Sequence, residues 1–132
     1  MHLKIITHEK IVFDGDVDEI YSTGIDGSFT ILKGHIPYVT PLAIGITKAK
    51  IGNELKIFTT MGGLFQFKDE NALILTDTSE CDEEIDESRA KIALERAKQR
   101  LADENAQIDA KRAQAAVARA MARLKAKLNS SK

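Results

Sequence analysis

The chain has no tryptophan, a single cysteine and only two prolines in 132 residues, and its other absences are unevenly placed. No glycine or proline follows Gly63, no aromatic follows Phe67, no arginine precedes Arg89 and no acid follows Asp109. A lone Cys81 excludes an internal disulfide framework. Nothing around it acts as the base that would make it a nucleophile. No stretch reads as a signal peptide, and the run of about 20 apolar residues that a membrane-spanning helix needs does not occur. The chain is expected to be soluble, in a reducing compartment, without direct membrane insertion.

What is present divides at about residue 83. Residues 1–83 hold 7 Lys against 13 acids, a net of −6, and residues 84–132 hold 12 cations against 7 acids, a net of +5. A basic end on an acidic body seeks an acidic partner: nucleic acid, an anionic surface or an acidic protein face.

The first part reads as β. Leu3–Thr7, Lys10–Phe13, Val17–Tyr21, Phe29–Leu32, Ile44–Ile51, Leu55–Thr59 and Ala72–Leu75 are rich in β-branched and aromatic residues. Turn formers separate them at Asp14-Gly15, Asp26-Gly27, Gly34, Gly52-Asn53 and Asp69-Glu70-Asn71. Short strands broken by such turns argue for an all-β sandwich or barrel. No catalytic set is legible: His2, His8 and His35 lack metal-ligand spacing, with one another or with Cys81. Gly62-Gly63 reads as a strand kink, not a phosphate cradle. Gly34-His35-Ile36-Pro37 reads as a turn whose φ Pro37 fixes; its functional reading is a rigid contact loop.

The second part reads as two helices, with 13 alanines among its 49 residues. Asp86 suits an N-cap. Ala90, Leu94, Ala97 and Leu101 form one apolar stripe; Ala110, Ala113, Val117, Met121, Leu124 and Leu128 form another. Asp103-Glu104-Asn105 can end the first helix and Asp109 start the second, giving an antiparallel hairpin. An alanine methyl contributes about 0.8 kcal/mol on burial against roughly 1.5–3 for a leucine. A hairpin docked through alanines is therefore held modestly. A ligand at about 10–100 times its dissociation constant shifts an equilibrium by roughly 1.4–2.7 kcal/mol, a comparable amount.

Arg89 and Arg96 share a helix face two turns apart, and Arg119 and Arg123 share one at i, i+4. Folding about Asn105-Ala106 brings these four to the open end of the hairpin. From spacing alone the favoured reading is a solvated network neutralised by Asp86, Glu87 and Glu95. The functional reading is an anion site, such as one for a polyphosphate.

Taken in order, Glu9–Val17, Ile31–Leu42, Met61–Phe65, Ile85-Asp86-Glu87-Ser88-Arg89-Ala90 with Arg96, and Arg119–Leu124 resemble the epsilon subunit of bacterial-type F-type ATP synthase over essentially the full chain. The junction motif is similar to the Ile/Leu-Asp-x-x-Arg-Ala pattern of ATP-binding members. His8, Thr30 and Lys33 depart from the family pattern, standing where proline, glycine and proline are common.

The resemblance implies an α+β fold: a β-sandwich of about ten strands over residues 1–83 and a two-helix hairpin over residues 84–132. It implies a non-catalytic rotor subunit whose sandwich binds the gamma subunit and the c-subunit ring. The hairpin would lie folded on the sandwich or extend toward the alpha/beta catalytic ring and hinder ATP hydrolysis. ATP as a regulatory ligand would meet Ile85, Asp86, Arg89, Ala90, Arg96, Arg119 and Arg123, together with Glu80, and no metal is required. The place implied is the F1 sector, peripheral on the cytoplasmic face of the bacterial plasma membrane.

Two other classes are a nucleic-acid-binding protein with a basic helical tail and a β-fold enzyme with a helical lid. Aromatics at 5% and the lack of a reader motif count against the first. The lack of a convergent catalytic set counts against the second.

Overall fold

The computed structural model describes residues 1–102 and 110–130. Each of the seven β-like runs falls within a strand, give or take one or two end residues: β1 (His2–Ile6), β2 (Ile11–Asp16), β3 (Glu19–Gly24), β4 (Gly27–Leu32), β5 (Tyr38–Ile51), β6 (Glu54–Lys68) and β7 (Asn71–Leu75). A 3-10 turn at Asp82–Glu84 leads to helices α1 (Glu87–Ala102) and α2 (Ala110–Ser130). The strands lie in the order β2-β1-β7-β6-β5-β3-β4.

Seven strands stand where the resemblance implies about ten, because β5 and β6 run 14 and 15 residues unbroken. These two long strands serve both layers of the sandwich. Leu64–Lys68 of β6 continues into β7, and β7 into β1 and β2. At Lys48–Lys50, β5 continues instead into β3, and β3 into β4. The two wings fold over one core: Leu3, Ile5 and Ile74 from one side meet Ile20 and Ile31 from the other, with Phe58, Phe65 and Phe67 among them. Buried hydroxyls are satisfied between strands, Ser22 Oγ to Thr47 Oγ1 at 2.8 Å and Thr47 Oγ1 to Thr60 Oγ1 at 3.3 Å.

The kink expected at Gly62-Gly63 is present. Their φ values are 75° and 113°, and a Cβ on Gly63 would lie 1.9 Å from the Leu75 carbonyl oxygen. Only glycine allows that conformation and that approach.

Helix α2 lies on β5 and β6, and α1 lies on α2. The contacts are made largely by alanine: Ala90 and Ala97 of α1 and Ala113, Ala120, Ala122 and Ala126 of α2 are buried. Leu94 and Val117 are half-buried as their stripes require. Met121 and Leu128 are a correction to the second stripe, being 56% and 63% exposed. Packed against both a sheet and a helix, α2 buries more than one face, and close approach on both sides selects small residues over long ones. The helix break at Asp103-Glu104-Asn105, the fold-back about Asn105-Ala106, the start at Asp109 and the side chains of Leu101 and Ala110 lie outside the described residues.

Candidate functional site

The site forms where the sandwich hands over to the hairpin. Thr59 of β6 grips the departing chain twice: its N–H donates to the Glu80 carbonyl at 2.9 Å, and its Oγ1 accepts from the Glu80 N–H at 3.0 Å. Cys81 bridges back to Phe58. Its Sγ–H donates to Asp82 Oδ1 at 3.2 Å, and burial raises the thiol above its ordinary value, which disfavours a reactive thiolate. Ile85, 4% exposed, is buried with Ile46, Ile57 and Ala126, so the linker is pinned to sandwich and α2 together.

Asp86 then starts α1 as expected. Its Oδ1 accepts from the Arg89 N–H at 3.1 Å, and its carbonyl accepts from the Ala90 N–H at 3.0 Å. This is the N-cap bond to the third helical residue. Replacing Asp86 with alanine should cost about 1 kcal/mol of helix-start stability, seen as faster amide exchange at Ser88–Ala90 and not in β1 or β7.

A cavity of about 360 Å³ opens above this turn, lined by Glu80, Glu84, Ile85, Asp86, Arg89, Ala90, Ala93 and Arg123. Six of the eight residues expected at the site share it. Arg119 instead lines an adjoining cleft of about 360 Å³ with Ile44, Met61, Asp77 and Thr78, and Arg123 lines both. Arg96 is exposed about 10 Å along α1 from Arg89 and lines neither. Glu84 and Ala93 were not singled out from the sequence. Ala93 was legible, one turn beyond Arg89 and Ala90 on the same face; Glu84 carried no signal.

The charge pairing also differs from the network of Asp86, Glu87 and Glu95. Arg123 Nε donates to Glu80 Oε1 at 2.8 Å, 43 residues away in sequence, while Glu87 pairs with Lys91 at 3.3 Å. Lys127, one turn beyond Arg123, donates from Nζ to the Asp82 carbonyl at 3.2 Å. The cavity thus has an arginine on each helix, an acidic rim and an apolar floor at Ile85 and Ala90.

A second surface lies on the outer face of the sandwich. Pro41, Leu64, Leu75, Ile6 and Ile11 sit opposite one another in register across β5, β6, β7, β1 and β2. Leu64, Leu75 and Ile11 are 37%, 43% and 54% exposed. Together the five form one apolar row across five strands. At another edge, Gly34 donates its N–H to Glu70 Oε1 at 2.8 Å, fixing the loop that holds Ile36 in solvent.

The model for the ATP synthase Delta/Epsilon chain beta-sandwich domain matches residues 1–81, and that for the Delta/Epsilon chain long alpha-helix domain matches residues 83–127. A protein called ATP synthase epsilon chain in Nitratidesulfovibrio vulgaris is 37% identical over 129 residues, covering 98% of this chain and 96% of that one. One of the same name in Clostridium kluyveri is 42% identical over 126 residues, 94% of each chain. A chain of the Euglena gracilis mitochondrial ATP synthase OSCP/F1/c-ring structure superposes with a TM-score of 0.83 at 23% identity, over 96% of this chain and 79% of that one. A chain of the Tetrahymena thermophila mitochondrial ATP synthase central stalk and c-ring does so with 0.62 at 16%, over 96% of each. These two likenesses are likenesses of fold.

Proposed function

Because the chain belongs to the ATP synthase delta/epsilon family, we infer that it is a non-catalytic subunit of the rotor's central stalk. In this reading residues 1–83 join the gamma subunit to the c-subunit ring, and residues 84–132 regulate ATP hydrolysis. The apolar row from Pro41 to Ile11 is suited to the gamma subunit, and the Ile36 loop to the c ring. The subunit belongs to the F1 sector, peripheral on the cytoplasmic face of the bacterial plasma membrane. Among the described residues no helix is long and apolar enough to cross a membrane.

One observation carries the regulatory part: the cavity draws its walls from the linker, α1 and α2 at once. A ligand held there binds the docked arrangement and not an extended one, so it shifts the hairpin toward the sandwich. ATP suits it, with the base near Ile85 and Asp86 and the phosphates near Arg89 and Arg123, the tail reaching toward Arg119. Arg96 assists from outside the cavity. The docked state is shallow enough to be shifted. Its buried contacts are made largely by alanines, and an apolar groove of about 670 Å³ remains between hairpin and sandwich, lined in part by Ile44, Leu94, Met121 and Leu128. Released, the hairpin carries its basic face to the alpha/beta ring.

Reconstitution tests this directly. Adding the full chain to an ATP synthase depleted of it should slow ATP hydrolysis. A chain ending at Glu84 should still bind gamma and leave hydrolysis several-fold faster. Among the described residues the main cluster of the sandwich core has no member from the hairpin, and only Ile46 and Ile57 lose buried partners, Ile85 and Ala126, so the shortened chain should keep its near-UV dichroism and the amide protection of β1 and β7. An unfolded shortened chain would sink the two-part division, and ATP hydrolysis by the pure chain would sink the non-catalytic assignment.

A further inference from the structure

Arg123 already has an anionic partner before any ligand arrives. Its bond to Glu80 is short, and the two side chains are only 29% and 33% exposed. Glu80, moreover, moves with the sandwich, because Thr59 holds its N–H and its carbonyl. Arg123 belongs to α2. The pair therefore ties the hairpin to the sandwich across the site itself, and it stands where the two clefts meet.

We propose that the Glu80 carboxylate is a built-in substitute for the ligand's anion, closing the hairpin through Arg123 in the ligand-free protein and yielding Arg123 to phosphate oxygens when a polyphosphate enters. The latch stands on the ion pair alone; the exchange of Glu80 for phosphate rests on the nucleotide reading above. A charge-assisted bond of this geometry is directional and partly shielded from water. It contributes modestly at such exposure and weakens with salt. The docked state is then populated without nucleotide, and nucleotide binding is weaker than the two arginines alone would give.

Amide exchange of α2 in the nucleotide-free full chain tests the latch. Glu80→Gln should speed exchange at residues 111–128 about two- to fivefold, with β1 and β7 amides unchanged as the folding control. Salt at about 1 M, where the screening length is about 3 Å, should bring the wild type to the same rates. The charge swap Glu80→Arg with Arg123→Glu should restore slow exchange. Unchanged α2 exchange in Glu80→Gln, or a swap that docks no better than Glu80→Gln, would overturn the latch. For the exchange step the probe is inorganic tripolyphosphate, which should bind Glu80→Gln about two- to fivefold more tightly than wild type. Equal or weaker binding would overturn it. If ATP leaves wild-type α2 exchange unaltered while Glu80→Gln still loosens it, the nucleotide reading falls and the latch stands.

Discussion

Arg89→Ala should weaken ATP binding more than tenfold in calorimetry, and Arg123→Ala should weaken it by less. Each guanidinium offers a charge-assisted bond of roughly 1.5–3 kcal/mol, and about 1.4 kcal/mol is a factor of ten in affinity. The two differ in what they leave behind. Arg123 already shares its charge with Glu80 through Nε, so part of what a phosphate gains from it is offset by that pairing. Arg89 lines the same cavity at the first turn of α1, where the positive end of the helix adds to its charge. Lys111→Ala, an exposed cation on the same helix as Arg123, should change affinity little. Equal small losses at all three positions would mean diffuse attraction and no pocket.

Gly63→Ala should cost about 3 kcal/mol of sandwich stability, near the upper end of single substitutions. Two penalties combine. A φ of 113° is unfavourable for any residue with a Cβ, and that Cβ would sit 1.9 Å from the Leu75 carbonyl oxygen and 2.8 Å from Thr76 Cα. Both atoms are backbone and cannot rotate away, so β6 and β7 must separate locally. In a domain of this size about 1 kcal/mol moves the melting temperature by roughly 4–8 °C, so a fall of more than about 10 °C is expected. Gly52→Ala is the control, with a positive φ of 59° but open space around its Cβ position. If the two variants melt together, the close approach at Gly63 contributes nothing.

The sequence made the local features readable. Seven runs of β-branched and aromatic residues fall in seven strands, and Asp86 caps the helix that Glu87 begins. The hidden features were those set by partners distant in the chain. Tyr38–Ala43 holds a proline and Thr60–Gly63 holds two glycines, so neither looks like strand interior by composition, yet both lie within the long strands. Tyr38–Leu42 pairs with Gly63–Phe67 of β6, and Thr60–Gly63 pairs with Leu42–Gly45 of β5, and this pairing supplies the order that local preference does not. Met121 and Leu128 fit a helical stripe, but α2 packs on two sides and its alanines take the buried places. At the site, the motif around Asp86 was visible because capping is local. The pairing of Glu80 with Arg123 was not, because helix spacing relates only residues within a turn or two.

The parallel pairing of β1 with β7 fixes an order of events in synthesis. His2–Ile6, the first of the seven described strands to be made, sits between β2 and β7, and its partner Asn71–Leu75 is the last of them. A ladder closing so long a stretch of chain forms slowly, since loop entropy opposes it until both ends are present. On the ribosome the β1–β2 hairpin must wait with one edge unpaired until residue 75 has emerged. The helices follow it out, so the helical segment is synthesised onto a sandwich that has only then become able to close.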